Sequence, residues 1–183
     1  MEVRIAQTAR ELSEIHQMLI EVNLMELHKS YIQWEVKNDP GIIWLAAIHE
    51  NETVGCVRLR YGCDAQYLRE YWGLSPAMIL KNIAICDRLV VAAAHRHSRA
   101  AYMLTTNIYQ VALKNKTELT FMEAEEHLLP FYRKLGFEVY RKAEHSYGTR
   151  FQLFINPNDG LRLDLLRSPF SSHYYQLRNQ TSV

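Results

Sequence analysis

The sequence holds only three cysteines, Cys56, Cys63 and Cys86, an odd number without C-x-x-C spacing. Neither a disulfide framework nor a cysteine zinc site fits that set, and the thiols are expected to be reduced. An excess of one charge is missing as well: 21 Lys and Arg stand against 20 Asp and Glu, a formal net charge of +1. That balance gives no broad field for nucleic acid, which is not an expected partner, although a local basic patch is compatible with it. Long apolar runs are absent. The longest, around Ile42 to Ile48 and Leu89 to Ala94, are far too short for an integral membrane segment. Glu2 and Arg4 ahead of a polar stretch lack the pattern of a secretory leader. His95-x-His97 has ligand spacing but no third ligand nearby, so it reads as a solvated loop and no metal is expected. No internal repeat or low-complexity run occurs. The expectation is a cytoplasmic single domain over residues 1–170, with a loosely committed tail over 171–183.

What is present is a regular succession of elements. Val3 to Ala6 reads as an edge strand. A helix from Thr8 to about His28 has Leu12, Ile15, Leu19, Val22 and Met25 on one face. Thr8 followed by Glu11 forms a capping box. Ile42 to Ile48 and Thr53 to Tyr61 are strands joined by the polar loop His49-Glu50-Asn51-Glu52. Gly55 inside the second marks a bulge or the close approach of another backbone. Further strands are expected at Ala84 to Val91, Glu118 to Glu123, Phe137 to Tyr140 and Arg150 to Ile155. The order β-α-β-β-(insert)-β-α-β-α-β-β implies an α/β (α+β) fold with a mixed, mostly antiparallel sheet of six to seven strands flanked by helices. The insert, Gly62 to Asn82, carries Tyr67, Leu68, Tyr71, Trp72, Leu74, Met78, Ile79 and Leu80 around a Ser75-Pro76 helix start. Two readings stand for it: Trp72 and Met78 line a tunnel for an acyl chain, or the segment caps the core.

Two segments carry chemistry. In the first, the strand ending Asp87-Arg88-Leu89-Val90-Val91 leads through Ala92 to His95 into Arg96-His97-Ser98-Arg99-Ala100-Ala101. A helix follows with Ala101, Leu104, Ile108, Val111 and Ala112 on its face and Ser98 as the expected N-cap. A helix start with free N–H groups, a positive dipole end and two arginines beside it suits a pyrophosphate or phosphodiester. In the second, Leu128, Leu129, Phe131, Tyr132 and Leu135 recur at helical spacing, Gly136 stops the helix, and Phe137, Val139 and Tyr140 begin a strand.

In order and spacing the two segments resemble those of the GNAT N-acyltransferase superfamily. Phe131-Tyr132-Arg133-Lys134-Leu135-Gly136-Phe137 is similar to its last motif, whose tyrosine points toward the acyl-carrier sulfur. Arg96 to Ala101 is similar to its phosphate loop, with Arg99 where a glycine is usual. More narrowly, four stretches resemble the N-acyl amino acid synthase group, which is related to the acyl-homoserine-lactone synthases. They are Asp87 to Val91, Arg96-x-Ser98-x-x-Ala101, His127-Leu128-Leu129-Pro130-Phe131-Tyr132 and Leu163 to Phe170. His97 replaces a glycine of that group, and Ile85 stands where a glutamate is common. The resemblance runs from about residue 3 to residue 170. It implies a GNAT-type sheet splayed between its central strands, and an enzyme whose co-substrate is acyl-CoA or the acyl-phosphopantetheine of a carrier protein. The donor would be held by Leu89, Val90, Val91, Arg96, His97, Ser98, Arg99, Ala100 and Ala101.

Amide formation requires a thioester carbonyl held near an amine, a stabilised oxyanion and a protonated leaving thiolate. On this resemblance Val90 and Val91 hold the pantetheine arm and Tyr132 protonates the thiolate. Asp87, Glu123 and Glu125 are candidates for taking the amine proton, while Asp87 beside Arg88 is equally readable as a structural ion pair. Arg88 could grip the carboxylate of an amino-acid acceptor or pair with Asp87 or Glu123. Cys86 reads as a small core residue rather than a nucleophile. The expected partners are the acyl donor and a small amine, and assembly into an oligomer is compatible with both. The expected function is transfer of an acyl group to an amine, in its narrowest form a long chain to an amino acid. A short-chain acetyl-CoA-dependent N-acetyltransferase and a catalytically silent module of the same fold are the alternatives.

Overall fold

The computed structural model describes residues 1–26 and 39–180. Among the described residues seven strands are formed: Glu2–Ile5 (β1), Ile42–His49 (β2), Glu52–Arg60 (β3), Ile83–Val91 (β4), Leu119–Ala124 (β5), Glu138–His145 (β6) and Gly148–Ile155 (β7). Their order is β1-β2-β3-β4-β5-β7-β6. β1–β2, β2–β3, β5–β7 and β6–β7 pair antiparallel, and β4–β5 pairs parallel. The sheet is therefore mixed and mostly antiparallel, with β1 at an edge, as its sequence suggests. The parallel ladder joins Ile83, Ala84 and Ile85 to Leu119, Thr120 and Phe121, while β4 continues to Val91. The chain divides into two compact units, Met1–Arg60 with Cys86–Ile108, and Tyr61–Ile85 with the chain from Tyr109 on.

In the first unit, helix α1 (Ala9–Ile20) begins at a complete capping box between Thr8 and Glu11. The backbone amides of Thr8 and Gln7 hold the Glu11 carboxyl down at about 2. A wider π turn, Glu21–Glu26, follows α1. Residues 27 and 28 of the expected helix, and the side chain of Met25, lie outside the described residues. Ile15, Met18, Leu19 and Val22 bury one helical face against Trp44, Ala46 and Cys56. The β2–β3 hairpin closes on Glu50 and Asn51, both at positive φ (52° and 66°), which matches the twist of two antiparallel strands. Gly55 satisfies both sequence readings. The β2–β3 register shifts beside it, and a Cβ there would sit 3.1 Å from the Val90 carbonyl oxygen and 3.0 Å from Leu104 Cδ1.

Helix α2 (Ala65–Glu70) in the second unit is capped by Asp64, and α3 (Pro76–Ile79) by Ser75 with proline in its first turn. From this insert Leu68, Trp72 and Leu74 join Ile83, Ile85, Leu119 and Phe121 in one buried cluster. Each such side chain is worth about 1.5–3 kcal/mol on burial, so the insert is built into the core. Helix α4 (Ala100–Lys114), which crosses the division between the units, buries Ala100, Leu104, Ile108 and Ala112 along one face. Ala101 and Val111, expected on that face, lie at its margins, half-buried.

Helix α5 (Leu129–Leu135) buries Leu129, Tyr132 and Leu135 and ends on Gly136 at φ +110°. The Phe137 amide donates to the Tyr132 carbonyl at 3.1 Å, which closes the helix as a left-handed cap does. A Cβ on Gly136 would lie 2.7 Å from Leu163 Cδ2, on helix α6 (Gly160–Leu165). Gly136→Ala is therefore expected to cost about 1–3 kcal/mol from backbone strain alone. Thermal unfolding measures it, and an unchanged midpoint would count against this cap.

The segment from Ser171, expected to be uncommitted, is instead helix α7 (Phe170–Gln180). Its polar composition hides two anchors one turn apart, Phe170 and Tyr174, both buried. Phe170 stacks on Tyr109 at 4.3 Å. Ser171 and Tyr175 donate to Asp164, and their hydrogen bonds hold that carboxyl below its ordinary range.

Candidate active site

The expected donor residues lie in the first unit. β4 carries Arg88 at φ +57°, a left-handed conformation uncommon for a residue with a side chain. Arg88 is half-buried, and burial pulls its guanidinium below the usual arginine range while Asp87 pulls it back up. Beyond Val91 a single 3-10 turn, Ala93–His95, leads into an exposed stretch, Arg96 to Arg99. Arg96 folds back so that its Nε donates to the Val91 carbonyl at 3.2 Å, and the Ala92 amide donates to Val54 at 3.0 Å. The Ser98 hydroxyl donates to the His95 carbonyl at 2.6 Å and accepts from the Ala100 amide at 3.1 Å. The Arg99 carbonyl accepts the first helical bond from Met103, so Arg99 holds the cap position and Ser98 precedes it by one. His97, Ser98 and Arg99 are open to solvent, Ala100 is buried and Ala101 half-buried. Leu89, Val90 and Val91 are half-buried at the end of the strand.

Beside its electrostatic pull on Arg88, Asp87 has partners that the sequence did not suggest. Its two oxygens accept from Arg58 Nε at 2.7 Å and Arg58 Nη2 at 2.9 Å. Arg60 Nε adds an ion pair at 3.2 Å. Arg58 in turn lies over the Trp44 ring at 5.2 Å. An acid clasped by two guanidiniums is placed to hold strands together.

The second unit gathers a polar cluster on Glu123. Its carboxylate accepts from the Tyr71 hydroxyl at 2.7 Å and Gln152 Nε2 at 2.8 Å, and meets His145 Nε2 at 3.2 Å. Tyr71 also bonds the Tyr147 hydroxyl at 3.1 Å. Burial, then the bonds to Tyr147 and Glu123, push the Tyr71 phenol well above its ordinary range, so it remains a donor. The His145 ring stacks on Tyr71 (5.4 Å) and on Tyr147 (4.7 Å). Gln152, wholly buried, also donates to the Tyr71 carbonyl. Glu125 pairs with Arg150 at 3.1 Å and borders an open cleft of about 670 Å³ with His127, Lys142 and Phe151.

Tyr132 lies on α5 with only 5% of its surface exposed, its ring edge-on to Phe131 and Phe137. Trp72 is buried in the core cluster, its carbonyl accepting from the Tyr140 hydroxyl. Met78 is exposed on α3. The cluster on Glu123 escaped sequence reasoning because its members are scattered through the insert, β6 and β7. The available signal was Gln152, a polar residue inside an otherwise apolar strand run.

A strand with a left-handed residue, a cationic loop opening a long helix and a tyrosine on a glycine-stopped helix, in a mixed sheet of seven strands among the described residues, fit the class of N-acyltransferases. A family model described as an acetyltransferase (GNAT) domain matches residues 39–139, and the chain belongs to that family. That span contains both the Arg96–Ala101 loop and the Tyr132–Gly136 turn. No curated protein sequence matches the chain.

Solved structures share the fold. An N-acyl amino acid synthase, FeeM, from uncultured soil microbes is similar with a TM-score of 0.68 and 14% identity, over 87% of this chain and 97% of that one. The CoA-dependent acyl-homoserine lactone synthase BjaI, solved with SAM and isopentyl-CoA, gives a TM-score of 0.65 and 17% identity, over 88% and 84%. An aminoglycoside 6'-N-acetyltransferase complexed with coenzyme A gives 0.63 and 12%, over 86% and 97%. Among the described residues no helix is long and apolar enough to cross a membrane.

Proposed function

We propose that the protein transfers an acyl group from a pantetheine thioester, acyl-CoA or an acyl-carrier protein, to an amine, in its narrowest form a long chain to an amino acid. The observation that carries this reading is the exposed Arg96–Arg99 loop at the start of α4. It follows a strand, Ile83–Val91, that carries Arg88 at φ +57° near its end, and a helix start offers free N–H groups to an anion. In this reading Arg96, Arg99 and the backbone around Ser98 hold the donor phosphates, and Leu89, Val90 and Val91 run along the pantetheine arm. A backbone N–H polarises the carbonyl. Arg88 answers an acceptor carboxylate, and Tyr132 protonates the departing thiolate. Asp87, already clasped by Arg58 and Arg60, holds the strands, and the cluster on Glu123 handles the amine proton. The fold shared with an N-acyl amino acid synthase supports the narrow form.

One observation favours a short-chain donor. Leu68, Trp72 and Leu74 are spent on the core cluster, which leaves Met78 and Leu80 as the exposed apolar residues of the insert. Turnover with acetyl-, hexanoyl- and decanoyl-CoA and with an acyl-carrier protein separates the two forms. A preference rising with chain length supports the long-chain reading, and a preference for acetyl-CoA removes it.

The donor placement has its own test. Arg96→Ala is expected to weaken CoA binding by about 1.5–3 kcal/mol, the scale of a charge-assisted hydrogen bond. Titration calorimetry with CoA reads it. Unaltered affinity in a folded variant would remove the donor from this loop.

A further inference from the structure

We propose that the open cleft at the end of β5 binds a small zwitterion, a free amino acid or a dipeptide, with its ammonium on Glu126 and its carboxylate on Lys142. The cleft is built from the second unit alone, so the proposal goes beyond the acyl-transfer reading and stands apart from the donor loop. Its volume, about 670 Å³, lies in the range of small-molecule sites. The strand register shows what forms its floor. Ala124 on β5 pairs with Phe151 on β7, and Phe151 pairs with Lys142 on β6. Directly paired residues of neighbouring strands share a face of the sheet. Thr149, two residues before Phe151, lies on that face as well. The half-buried Phe151 is thus an apolar strip between the acidic end of β5 and Lys142.

Charges of opposite sign stand on the two sides of that strip. β7 lies between β5 and β6, so the two walls are two strand spacings apart, about 10 Å. On the β5 side Glu125 is already answered, by Arg150 at 3.1 Å and His127 Nδ1 at 3.6 Å. Glu126 opens the 3-10 turn Glu126–Leu128, is exposed, and has no ion pair among the described residues. A carboxylate only accepts hydrogen bonds, which suits an ammonium there. On the β6 side Lys142 meets Glu144 at 3.2 Å, but their side chains are 60% and 65% exposed, and such a surface pair is weak. Glu144 also accepts from the Thr149 hydroxyl at 2.6 Å. The Lys142 ammonium has three hydrogens, so it can take a second carboxylate without releasing the first. A singly charged ligand answers one wall. A zwitterion answers both, and its apolar part lies over Phe151. One residue spans about 3.5 Å and two about 7 Å, and the Glu126 and Lys142 side chains supply the remaining reach.

The test is titration calorimetry on the full chain with four probes: L-leucine, glycyl-leucine, 3-methylbutylamine and 4-methylpentanoate. The parent is expected to bind at least one zwitterion about tenfold tighter than either singly charged probe, the scale of one charge-assisted hydrogen bond. The tighter of leucine and glycyl-leucine names the ligand length. Glu126→Gln is expected to lose about tenfold for the zwitterions and the amine and nothing for the carboxylate probe. Lys142→Gln is expected to lose the zwitterions and the carboxylate probe and to keep the amine. Both side chains are exposed, so the fold should hold, and thermal unfolding verifies it. Zwitterions bound no tighter than the singly charged probes overturn the proposal. Parent-like binding in both variants, equal weakening of all four probes, or no binding by the parent does the same. CoA titrated into the same samples reads the donor loop separately. A parent that binds a zwitterion but not CoA removes the donor reading alone, and the converse removes this proposal alone.

Discussion

Tyr132→Phe is expected to lower turnover by about 100-fold or more while leaving donor affinity almost unchanged, the signature of a lost general acid. The substitution keeps the ring that packs edge-on to Phe131 and Phe137, and it leaves the Tyr132 carbonyl that caps α5 untouched. The fold therefore has little reason to change. A tyrosine serving only to pack would give the opposite pattern, a small loss of stability with near-normal turnover. Steady-state kinetics and thermal unfolding on one preparation separate the two. Turnover within a few-fold of the parent would show that water or another group protonates the thiolate.

The second large effect concerns Asp87. Removing its carboxylate leaves Arg58 and Arg60, 11% and 25% exposed in their side chains, without the anion between them. Losing one partner of a sealed ion pair costs 3–5 kcal/mol; Asp87 keeps 28% of its side-chain surface open, so about 2–4 kcal/mol is expected for Asp87→Ala. That corresponds to a fall of about 4–16 °C in the unfolding midpoint. Arg58→Met should fall by a similar amount, and the double variant by less than the sum, because the two residues share one interaction. An Asp87→Asn protein with an unchanged midpoint and greatly reduced turnover would instead make Asp87 the base.

Local features were legible in the sequence because each is written in a few neighbouring residues. Thr8 and Glu11 specify a capping box within one turn. Gly136 is the residue that tolerates φ +110° at a helix end, and Ser75-Pro76 starts a helix by itself. Glu50 and Asn51 close a hairpin between two runs of β-formers. The two chemical segments were legible for the same reason, since each is a continuous stretch joining a strand and a helix.

Partnerships between distant residues were not. The sequence pairs Asp87 with its neighbour Arg88, whose charge it does influence, but the hydrogen bonds and ion pairs of the carboxylate reach across to Arg58 and Arg60 on β3. Arg88 at positive φ is a cost that only the surrounding fold imposes. Glu123 was visible as a candidate, while His145, Gln152 and Tyr147 become its neighbours only once β5, β7 and β6 lie side by side. α7 was missed because a polar helix with two buried aromatics shows little periodic signal.

The central claim, amine acylation from a pantetheine thioester, is tested most directly by one measurement. Free thiol is followed on mixing the protein with acyl-CoA and a primary amine, with the amide counted by mass spectrometry. The account predicts thiol release that depends on the amine, with one amide formed for each thiol. CoA binding with no amine-dependent release across the donor series would contradict it and leave a silent binding module of the same fold.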